Sequence, residues 1–471
     1  MRRVIAVLVG IVLLTSCGFG QNTAILDATE VTQDVVLDAG SPATAALSAT
    51  QHTIDRARVA ILTSAEQETS ASAVGEKYGI PVLVNEKELR LEIGKELDRL
   101  GVKTLLLAGS RAPSNWLGST ADITQVATEI NKFAASQRKE FPVVTDGSYP
   151  AARATLQAAG GKILESPPDP RADSQVIKSL TGKAAAVALM KDSNPQLAMM
   201  LATARTGKEI PGGGQLVFHG KRYVALYGSP LTSLLGVLGE QGVPETITRA
   251  AQIAAEYQPL TKDAVVPALE IIVTVASGGP GDDGNYSEEY PVETFRPIIE
   301  QAAAAGQYVI LDLQPGRTDF LTQVKKYEEL LKYPNVGVAL DPEWRLEPDQ
   351  LPLRQIGHVE IAEVNSVVTY LADFVKQHQL PQKMLVLHQF QIQMIRNIDQ
   401  LDQSRAELAV LLHVDGHGTQ PAKWGTWSTL VNNAPNISYW GWKNFIDEDS
   451  PMLNPSQTYE IKPLPNYVSY Q

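Results

Sequence analysis

Two carboxylates and a tryptophan follow an apolar, strand-like run in the C-terminal half of the chain. The apolar residues 336–340 lead directly into Asp341, Pro342, Glu343 and Trp344. Because the side chains of an extended chain alternate with period two, Asp341 and Glu343 should project to the same side. Neighbouring carboxyls repel each other's charge, which can keep one of them protonated near neutral pH. The pair is therefore a candidate for acid catalysis.

Polar or aromatic residues also end most of the other apolar runs in this half. Tyr227 ends the first run, and Glu270 lies earlier inside the second. The later runs end at Asp312 with Gln314, His388 with Gln389, His413 with Asp415, and Trp440 with Trp442. If these runs are the parallel strands of a (β/α)8 barrel, their C-terminal ends meet at one mouth, where such barrels hold their active sites.

Each of these residues also has a purely structural interpretation. Asp312 could cap a helix or pair with Arg317, Asp341 could form a turn before its proline, and Glu343 could form a surface ion pair. His388, Trp440 and Trp442 could be core residues. The spacing of His413, Asp415 and His417 could chelate a metal, but Gly416 bends the chain there. We therefore predict no metal site and no cofactor.

The elements that would position these residues alternate between strand and helix. Seven apolar runs from "YVALYG" to "NISYWGWK", with "LVFHG" as a possible eighth strand, are separated by helical stretches such as "IAEVNSVVTYLADFVKQHQ". This rhythm, over about 260 residues, predicts a (β/α)8 (TIM-type) barrel at 211–471. An open doubly wound sheet remains the alternative fold.

The first part of the chain shows a different α/β rhythm. Short β-rich runs such as "RVAILTS" and "VKTLLLAGS" alternate with helical stretches, which predicts a parallel α/β three-layer domain at 53–210. The stretch from "RVAILTS" to "LLLAGS" resembles a type 2 cell wall-binding repeat. That resemblance implies a domain that binds wall polymer. The glycine run "IPGGGQ" marks the predicted boundary with the barrel.

The N-terminus reads as an export signal. Arg2 and Arg3 precede an apolar run too short to span a bilayer, and "LTSC" follows it. Leu-small-small-Cys resembles the bacterial lipobox, which implies removal of the signal peptide 1–16 and acylation of Cys17. Cys17 is the one cysteine of the chain, so no disulfide framework is possible. The polar segment 17–52 is predicted to be a flexible tether, which places the protein on the outer face of the cytoplasmic membrane.

Charge narrows the class of partner. The chain of 471 residues carries a formal net charge of −12, which argues against nucleic acid or anionic lipid as the main partner. We expect membrane contact through the lipid anchor alone. Stretches such as "LPQKMLVLHQFQIQMIRN" and "GWKNFIDEDSP" resemble uncharacterised lipoproteins of actinobacteria, which implies an actinobacterial envelope protein.

The Asp-x-Glu at a strand end, with a tryptophan on the last strand, resembles barrel glycosidases that act on amino-sugar polymers. The resemblance implies a glycoside hydrolase acting on a cell-wall or envelope glycan. Glu343 would be the general acid, Asp341 its partner, and Asp312 a second acid or the nucleophile. The predicted substrate-binding residues are Gln314, Arg317, Trp344, His388, Gln389, His413, Asp415, Trp440 and Trp442, with Trp442 as a stacking platform. A non-catalytic wall-binding scaffold and a solute-binding lipoprotein are the alternative functions.

Overall fold

A computed structural model describes residues 24–136, 138–192, 194–434 and 436–471. The predicted signal peptide and Cys17, the predicted site of acylation, lie outside these residues. The described chain forms two compact units that interleave along the sequence. The first consists of 24–143, 147–163 and 187–192, and the second of 144–146, 164–186 and 194–471. The boundary predicted at 210/211 therefore falls inside the second unit. None of the described helices is both long and apolar enough to cross a bilayer.

The first unit is a parallel α/β domain. Its strands are β1 (Leu26–Ala28), β2 (Val35–Val36), β3 (Ile54–Ala57), β4 (Val59–Thr63), β5 (Val82–Val84), β6 (Thr104–Ala108), β7 (Ser119–Asp122), β8 (Phe141–Thr145), β9 (Gly161–Glu165) and β10 (Val187–Leu189). Its helices are α1 (Pro42–Thr53), α2 (Glu68–Tyr78), α3 (Arg90–Leu100), α4 (Val126–Ile130) and α5 (Pro150–Ala158). One sheet has the order β5-β4-β6-β7 with parallel pairings, and another has the order β2-β10-β8-β9. This architecture agrees with the predicted fold class.

Residues 26–53 belong to the folded first unit, whereas the sequence predicts a tether there. Strand β1 pairs with β3, and the alanines of α1 are buried in the core. Helix α1 begins after Ser41, whose side chain accepts a hydrogen bond from the backbone N–H of Thr44. The small residues that suggested a tether are the ones that let this helix pack closely against its neighbours.

The second unit is built on a closed barrel of eight parallel strands, as predicted. These strands are β11 (Lys221–Gly228), β12 (Ala264–Ala276), β14 (Tyr308–Leu313), β15 (Val336–Leu340), β17 (Lys383–Gln389), β19 (Leu408–Val414), β20 (Tyr439–Asn444) and β21 (Tyr467–Tyr470). They neighbour one another in chain order, and β11 closes the barrel by pairing with both β12 and β21. The short strand β13 (Ser287–Glu289) adds antiparallel to β12, and β16 (Val359–Glu360) pairs with β18 (Ile395–Arg396).

The second unit contains nine helices among its described residues, of which the first two precede the barrel strands and the other seven lie between them. They are α6 (Ser174–Leu180), α7 (Leu197–Ala204), α8 (Val243–Tyr257), α9 (Val292–Ala304), α10 (Phe320–Lys326), α11 (Glu328–Leu331), α12 (Ile361–Gln377), α13 (Gln420–Asn433) and α14 (Pro455–Thr458). The larger core lies between strands and helices, because alternate strand residues such as Leu269 and Ile271 point outward. Residues of the opposite parity fill the barrel interior and form a second, smaller core.

The eighth strand is β21 at the C-terminus, and the prediction that "LVFHG" forms it is wrong. Val217 and Phe218 of that segment instead belong to the core inside the barrel. They lie there with Tyr223, a residue near the start of β11. The hydroxyl of Tyr223 donates a hydrogen bond to the Val217 carbonyl at 3.0 Å. The segment therefore packs against the N-terminal ends of the strands, where its apolar side chains are buried without ladder hydrogen bonds.

Candidate active site at the barrel mouth

Polar side chains from non-adjacent strands meet inside the C-terminal half of the barrel. Glu270 lies on β12 and His388 on β17, and two other strands separate these in the sheet. Their side chains nevertheless form a hydrogen bond, so both must point into the interior. Both are fully buried, as is Asp312 on β14. Buried charges are tolerated only when they are paired or hydrogen-bonded, and each of these groups has such a partner.

His388 is the centre of this cluster. Its Nε2 lies 2.7 Å from Glu270 Oε1, and its Nδ1 lies 2.8 Å from Asp415 Oδ2. Burial opposes the charged imidazolium, but the Glu270 carboxylate and the hydrogen bond to Asp415 together raise the pKa of His388 well above its ordinary value. Burial likewise opposes the ionised forms of Glu270 and Asp415, yet the charge of His388 leaves the pKa of both carboxyls lowered. The three groups form an ion pair with one cation between two carboxylates.

Two tyrosines hold the outer oxygens of the buried acids. Tyr467 donates its hydroxyl to Glu270 Oε2 at 2.6 Å, and Tyr227 donates to Asp312 Oδ2 at 2.9 Å. Asp312 Oδ1 has no hydrogen-bond partner and lies 3.9 Å from His388 Nε2. Burial raises the pKa of Asp312 to about 6 against the attraction of His388. Asp312 therefore titrates closer to neutral pH than an ordinary aspartate does.

Glu270, Asp312 and His388 are also the described group whose ligand atoms lie close enough together, within 4.8 Å, to suit a metal ion. The 2.7 Å separation of His388 Nε2 and Glu270 Oε1 is a hydrogen-bond distance. Tetrahedral zinc ligands at about 2.1 Å from the metal stand roughly 3.4 Å apart, so a cation would have to push these two atoms apart. We therefore interpret the cluster as an ion pair. The sequence also suggested His413, Asp415 and His417 as possible metal ligands. His413 instead forms a hydrogen bond with the Ser469 hydroxyl at 2.8 Å, and the His417 ring packs against the Phe445 ring.

A pocket of about 440 Å³ opens at the C-terminal ends of the strands. Its walls include four acidic side chains. Asp341, Glu343 and Asp415 follow two strand ends, and the fourth, Glu448, is exposed to solvent. The remaining polar lining comes mainly from Tyr227, Gln314, His417, Thr426 and Lys443. Glu270, Asp312 and His388 do not line the pocket, so a ligand there meets the three strand-end carboxyls directly.

The local structure of the chain places Glu343 on this wall. Strand β15 ends at Leu340, and residues 342–344 form a single helical turn that Pro342 begins. The Glu343 N–H donates to Asp341 Oδ1 at 3.2 Å, which caps the turn. Glu343 and Trp344 are consequently both turned onto the pocket wall.

The three strand-end carboxyls of the pocket differ in their pKa. Burial, and then the charge of Asp415, raises the pKa of Glu343 to about 7. Burial, together with the nearby Asp312 and Glu343, holds the pKa of Asp341 well above its ordinary value. Asp415 stays ionised because His388 bonds it. One pocket thus presents an acid whose pKa is raised well above its ordinary value, an acid that titrates near neutral pH, and a carboxylate. Environments that separate pKa values in this way are typical of acid and base pairs in enzymes.

Lys443 supplies the positive charge of the pocket. Its ammonium lies 3.5 Å from the centre of the Tyr227 ring and 5.1 Å from that of Phe445. Its charge lowers the pKa of both Glu343 and Asp415, which partly offsets the effect of burial. The Lys443 ammonium therefore limits how far burial raises the pKa of these two carboxyls.

The structure brings five of the predicted site residues to the pocket: Gln314, Asp341, Glu343, Trp344 and Asp415. Asp312, His388 and His413 lie fully buried behind it. The ring of His413 packs at 5.1 Å from that of His388, and burial lowers its pKa well below 6.5. These three can act on a ligand only through the residues of the wall, so Asp312 is not placed as a nucleophile.

The other four predicted binding residues lie away from the pocket. The Arg317 guanidinium donates to the Gln350 carbonyl and stacks over Tyr286, and the Gln389 amide donates to the carbonyls of residues 391 and 392. Trp440 and Trp442 are only 4% and 1% exposed, so Trp442 is not a stacking platform. The two tryptophans are buried because side chains alternate along a strand, and both tryptophans of β20 point outward from the barrel interior. A side chain on the intervening Gly441 would collide with the inward-facing His413 ring.

Four residues of the site carry no predicted role: Tyr227, Glu270, Lys443 and Tyr467. Glu270 has a recognisable signal, since it is a single acid inside the otherwise apolar run "VVPALEIIVTVA". A charged residue in a buried strand needs a partner across the barrel. Lys443 has the same kind of signal between the aromatic residues of "YWGWKNF".

Comparisons with known proteins leave the site to be interpreted on its own chemistry. The chain matches none of the protein-family models scanned, and a search of curated proteins finds no match.

Proposed function

We propose that the protein is a glycoside hydrolase of the cell envelope, acting on a wall or envelope glycan. The observation that carries the proposal is the pocket wall, where Glu343, with a pKa of about 7, lies together with the ionised Asp415. Glycosidases need a protonated carboxyl for the leaving oxygen and a carboxylate to support the positively charged sugar ring. A barrel alone would not imply this chemistry, because the same fold serves many functions.

The proposed reaction uses the groups of the wall in turn. Glu343 donates its proton to the glycosidic oxygen while the bond from that oxygen to the anomeric carbon breaks. Asp415 stabilises the positive charge that develops on the ring. Water then adds to the anomeric carbon and gives a proton to the Glu343 carboxylate, which restores the acid for the next cycle. Asp341 lies in the same wall, and the burial that raises its pKa favours the protonated form, which can donate a hydrogen bond to the sugar. Trp344 offers the aromatic face for stacking that the sequence assigned to Trp442.

The pH dependence of hydrolysis tests this assignment. Glu343 must be protonated to act as the acid, so we expect the rate to fall as pH rises through about 7. The measurement is the release of new reducing ends from purified wall glycan across pH 5 to 9, at substrate concentrations well below saturation. A protein that binds the glycan but releases no reducing ends at any pH would instead be the non-catalytic scaffold.

We also propose that the protein is anchored by lipid on the outer face of the cytoplasmic membrane. The motif from Leu14 to Cys17 supports this proposal, together with the charge of −12 that disfavours adsorption to anionic lipid. We expect Cys17→Ala to move the protein from the membrane fraction to the medium, as detected by immunoblotting of both fractions. Ser16→Ala serves as the matched control and should leave the protein with the membranes. If Cys17→Ala stays membrane-bound, the anchor proposal is wrong.

A further inference from the structure

Two further cavities adjoin the central pocket through shared walls. One, of about 300 Å³, shares Glu343 and Trp344 with the central pocket and extends along residues 353–356. We call it the acid-side arm. The other, of about 630 Å³, shares Phe390 and Thr426 with the central pocket and runs between residues 391–393 and helix α13. We call it the helix-side arm. The central pocket is therefore not a closed end, because space continues from it in two directions.

Both arms combine apolar surface with neutral amides, and the acid-side arm also contains Arg354 and Glu343. Leu353 in the acid-side arm is 84% exposed, and Ile392 in the helix-side arm is 45% exposed. Gln355 lies beside the former, and Gln391 and Gln393 lie beside the latter. Apolar faces suit the C–H surfaces of sugar rings, and amides can both donate to and accept from hydroxyls. The helix-side arm contains no charged residue, so its lining suits a neutral polar chain.

The exposure of apolar side chains is concentrated at this end of the barrel. Seven of the large apolar side chains exposed to solvent lie in segments that follow barrel strands: Leu231, Leu234, Leu351, Leu353, Ile392, Trp424 and Ile446. Leu353 also has a φ of 61°, in the left-handed region that leucine rarely adopts. An exposed leucine held in a costly conformation indicates a functional demand on its position. These observations point to a ligand larger than one sugar.

We propose that the substrate is a glycan chain that lies across the mouth with sugar units in both arms, and that it is cleaved internally. This inference rests on the proposed hydrolase function and adds the polymeric nature of its substrate. Glu343 stands in the wall shared by the acid-side arm and the central pocket. The glycosidic bond that receives its proton then joins a sugar in the pocket to one in that arm. The helix-side arm holds the chain beyond the pocket.

The test is the dependence of binding on chain length. The full chain carrying Glu343→Gln is titrated calorimetrically with size-fractionated, peptide-free peptidoglycan strands, and with β-1,4-linked N-acetylglucosamine oligomers, of two, four and six sugars. We expect affinity in at least one series to increase about tenfold or more from two to six sugars, as the arms fill. Equal affinity at all lengths, or no binding of either series, would overturn the proposal.

Variants of the arms locate the effect. Leu353→Asn removes the apolar side chain and introduces a residue that tolerates the left-handed backbone. Ile392→Ser removes the apolar side chain from the other arm. Each should weaken binding of six sugars about tenfold and leave two sugars unaffected. The matched control is Leu260→Asn, an exposed leucine before β12, at the opposite end of the barrel. Arm variants that behave like this control would contradict the placement of the chain.

The products of the wild-type protein separate this inference from the proposed function. Length-dependent binding without hydrolysis would reject the hydrolase and retain the cleft. Hydrolysis that releases only single terminal sugars would retain the hydrolase and reject internal cleavage. Internal cleavage predicts that long strands become mixtures of shorter oligomers early in the reaction.

Discussion

Replacing Glu343 with glutamine is expected to lower the rate of glycan hydrolysis by about 10²–10⁴-fold, which is the usual contribution of general acid catalysis. The amide keeps the shape of the protonated carboxyl but has no proton to transfer. Because Asp341 and Asp415 are untouched, binding of the glycan should change far less than the rate. Reducing-end release under saturating substrate measures the first quantity and calorimetry the second.

The same variant should reveal the protonation of Glu343 through stability. The pKa of Glu343 is about 7 in the folded protein and 4.5 ordinarily. The free energy of unfolding of the wild type should therefore decrease as pH rises between these two values, because the unfolded chain releases this proton more readily. Glutamine does not titrate. At pH 5 the two proteins should unfold at similar urea concentrations, and at pH 8 the variant should be the more stable by about 2 kcal/mol.

A matched substitution on the same loop controls for the loss of a negative charge. Glu347 is exposed and does not line the pocket, so Glu347→Gln should leave the rate of hydrolysis unchanged. Retention of nearly full activity by Glu343→Gln would show that another group is the acid. Asp341, which is also on the wall and has a raised pKa, would be the next candidate.

The barrel could be predicted because its strands carry their signal locally. Each long strand is an apolar run with a polar end, and β12, β17 and β19 show this clearly. Strand β21 is only four residues long and follows a proline-rich segment, so its alternation is too brief to recognise. The sequence therefore gives no indication of its inward-facing residues Tyr467 and Ser469, although both form hydrogen bonds with residues of the site.

The cross-barrel ion pair could not be predicted for a different reason. Whether Glu270 meets His388 depends on the order in which the strands close and on the register of each pair. Neither the closing order of the strands nor their register can be recognised from a local sequence pattern. The position of Asp341 and Glu343, by contrast, depends only on the end of one strand and the proline that follows it, and the structure places both on the pocket wall.

Replacing His388 with leucine should have the largest effect on stability. Leucine roughly preserves the volume but leaves Glu270 and Asp415 buried without their shared cation, and Asp312 close by. Breaking a buried pair in this way typically costs about 3–5 kcal/mol. Five of the six tryptophans lie in the second unit, so tryptophan fluorescence during urea unfolding reports mainly on the barrel. The control His219→Ala, at an exposed histidine of the same unit, should leave the transition unchanged.

The cause of the loss can be tested with a second substitution. If the uncompensated charge of Glu270 is responsible, adding Glu270→Gln to His388→Leu should recover part of the lost stability, although Glu270→Gln alone destabilises the wild type. Such non-additivity is the mark of directly interacting groups. Equal and additive losses would indicate that His388 contributes through packing, and the ion-pair interpretation would be wrong.

The ion-pair interpretation of His388 also predicts the direction in which stability changes with pH. The folded pKa of His388 is raised, so its stabilisation is fully present below the unfolded value near 6.5 and is lost as pH rises toward the folded pKa. In His388→Leu the two carboxyls lack their cation, and they can remain buried only by taking up protons. The variant should therefore lose stability as pH rises from 5 to about 6.5, where His388 itself causes no change in the wild type. The gap between the two proteins should widen over this range, and a gap that stays constant would show that these carboxyls are not held ionised by His388.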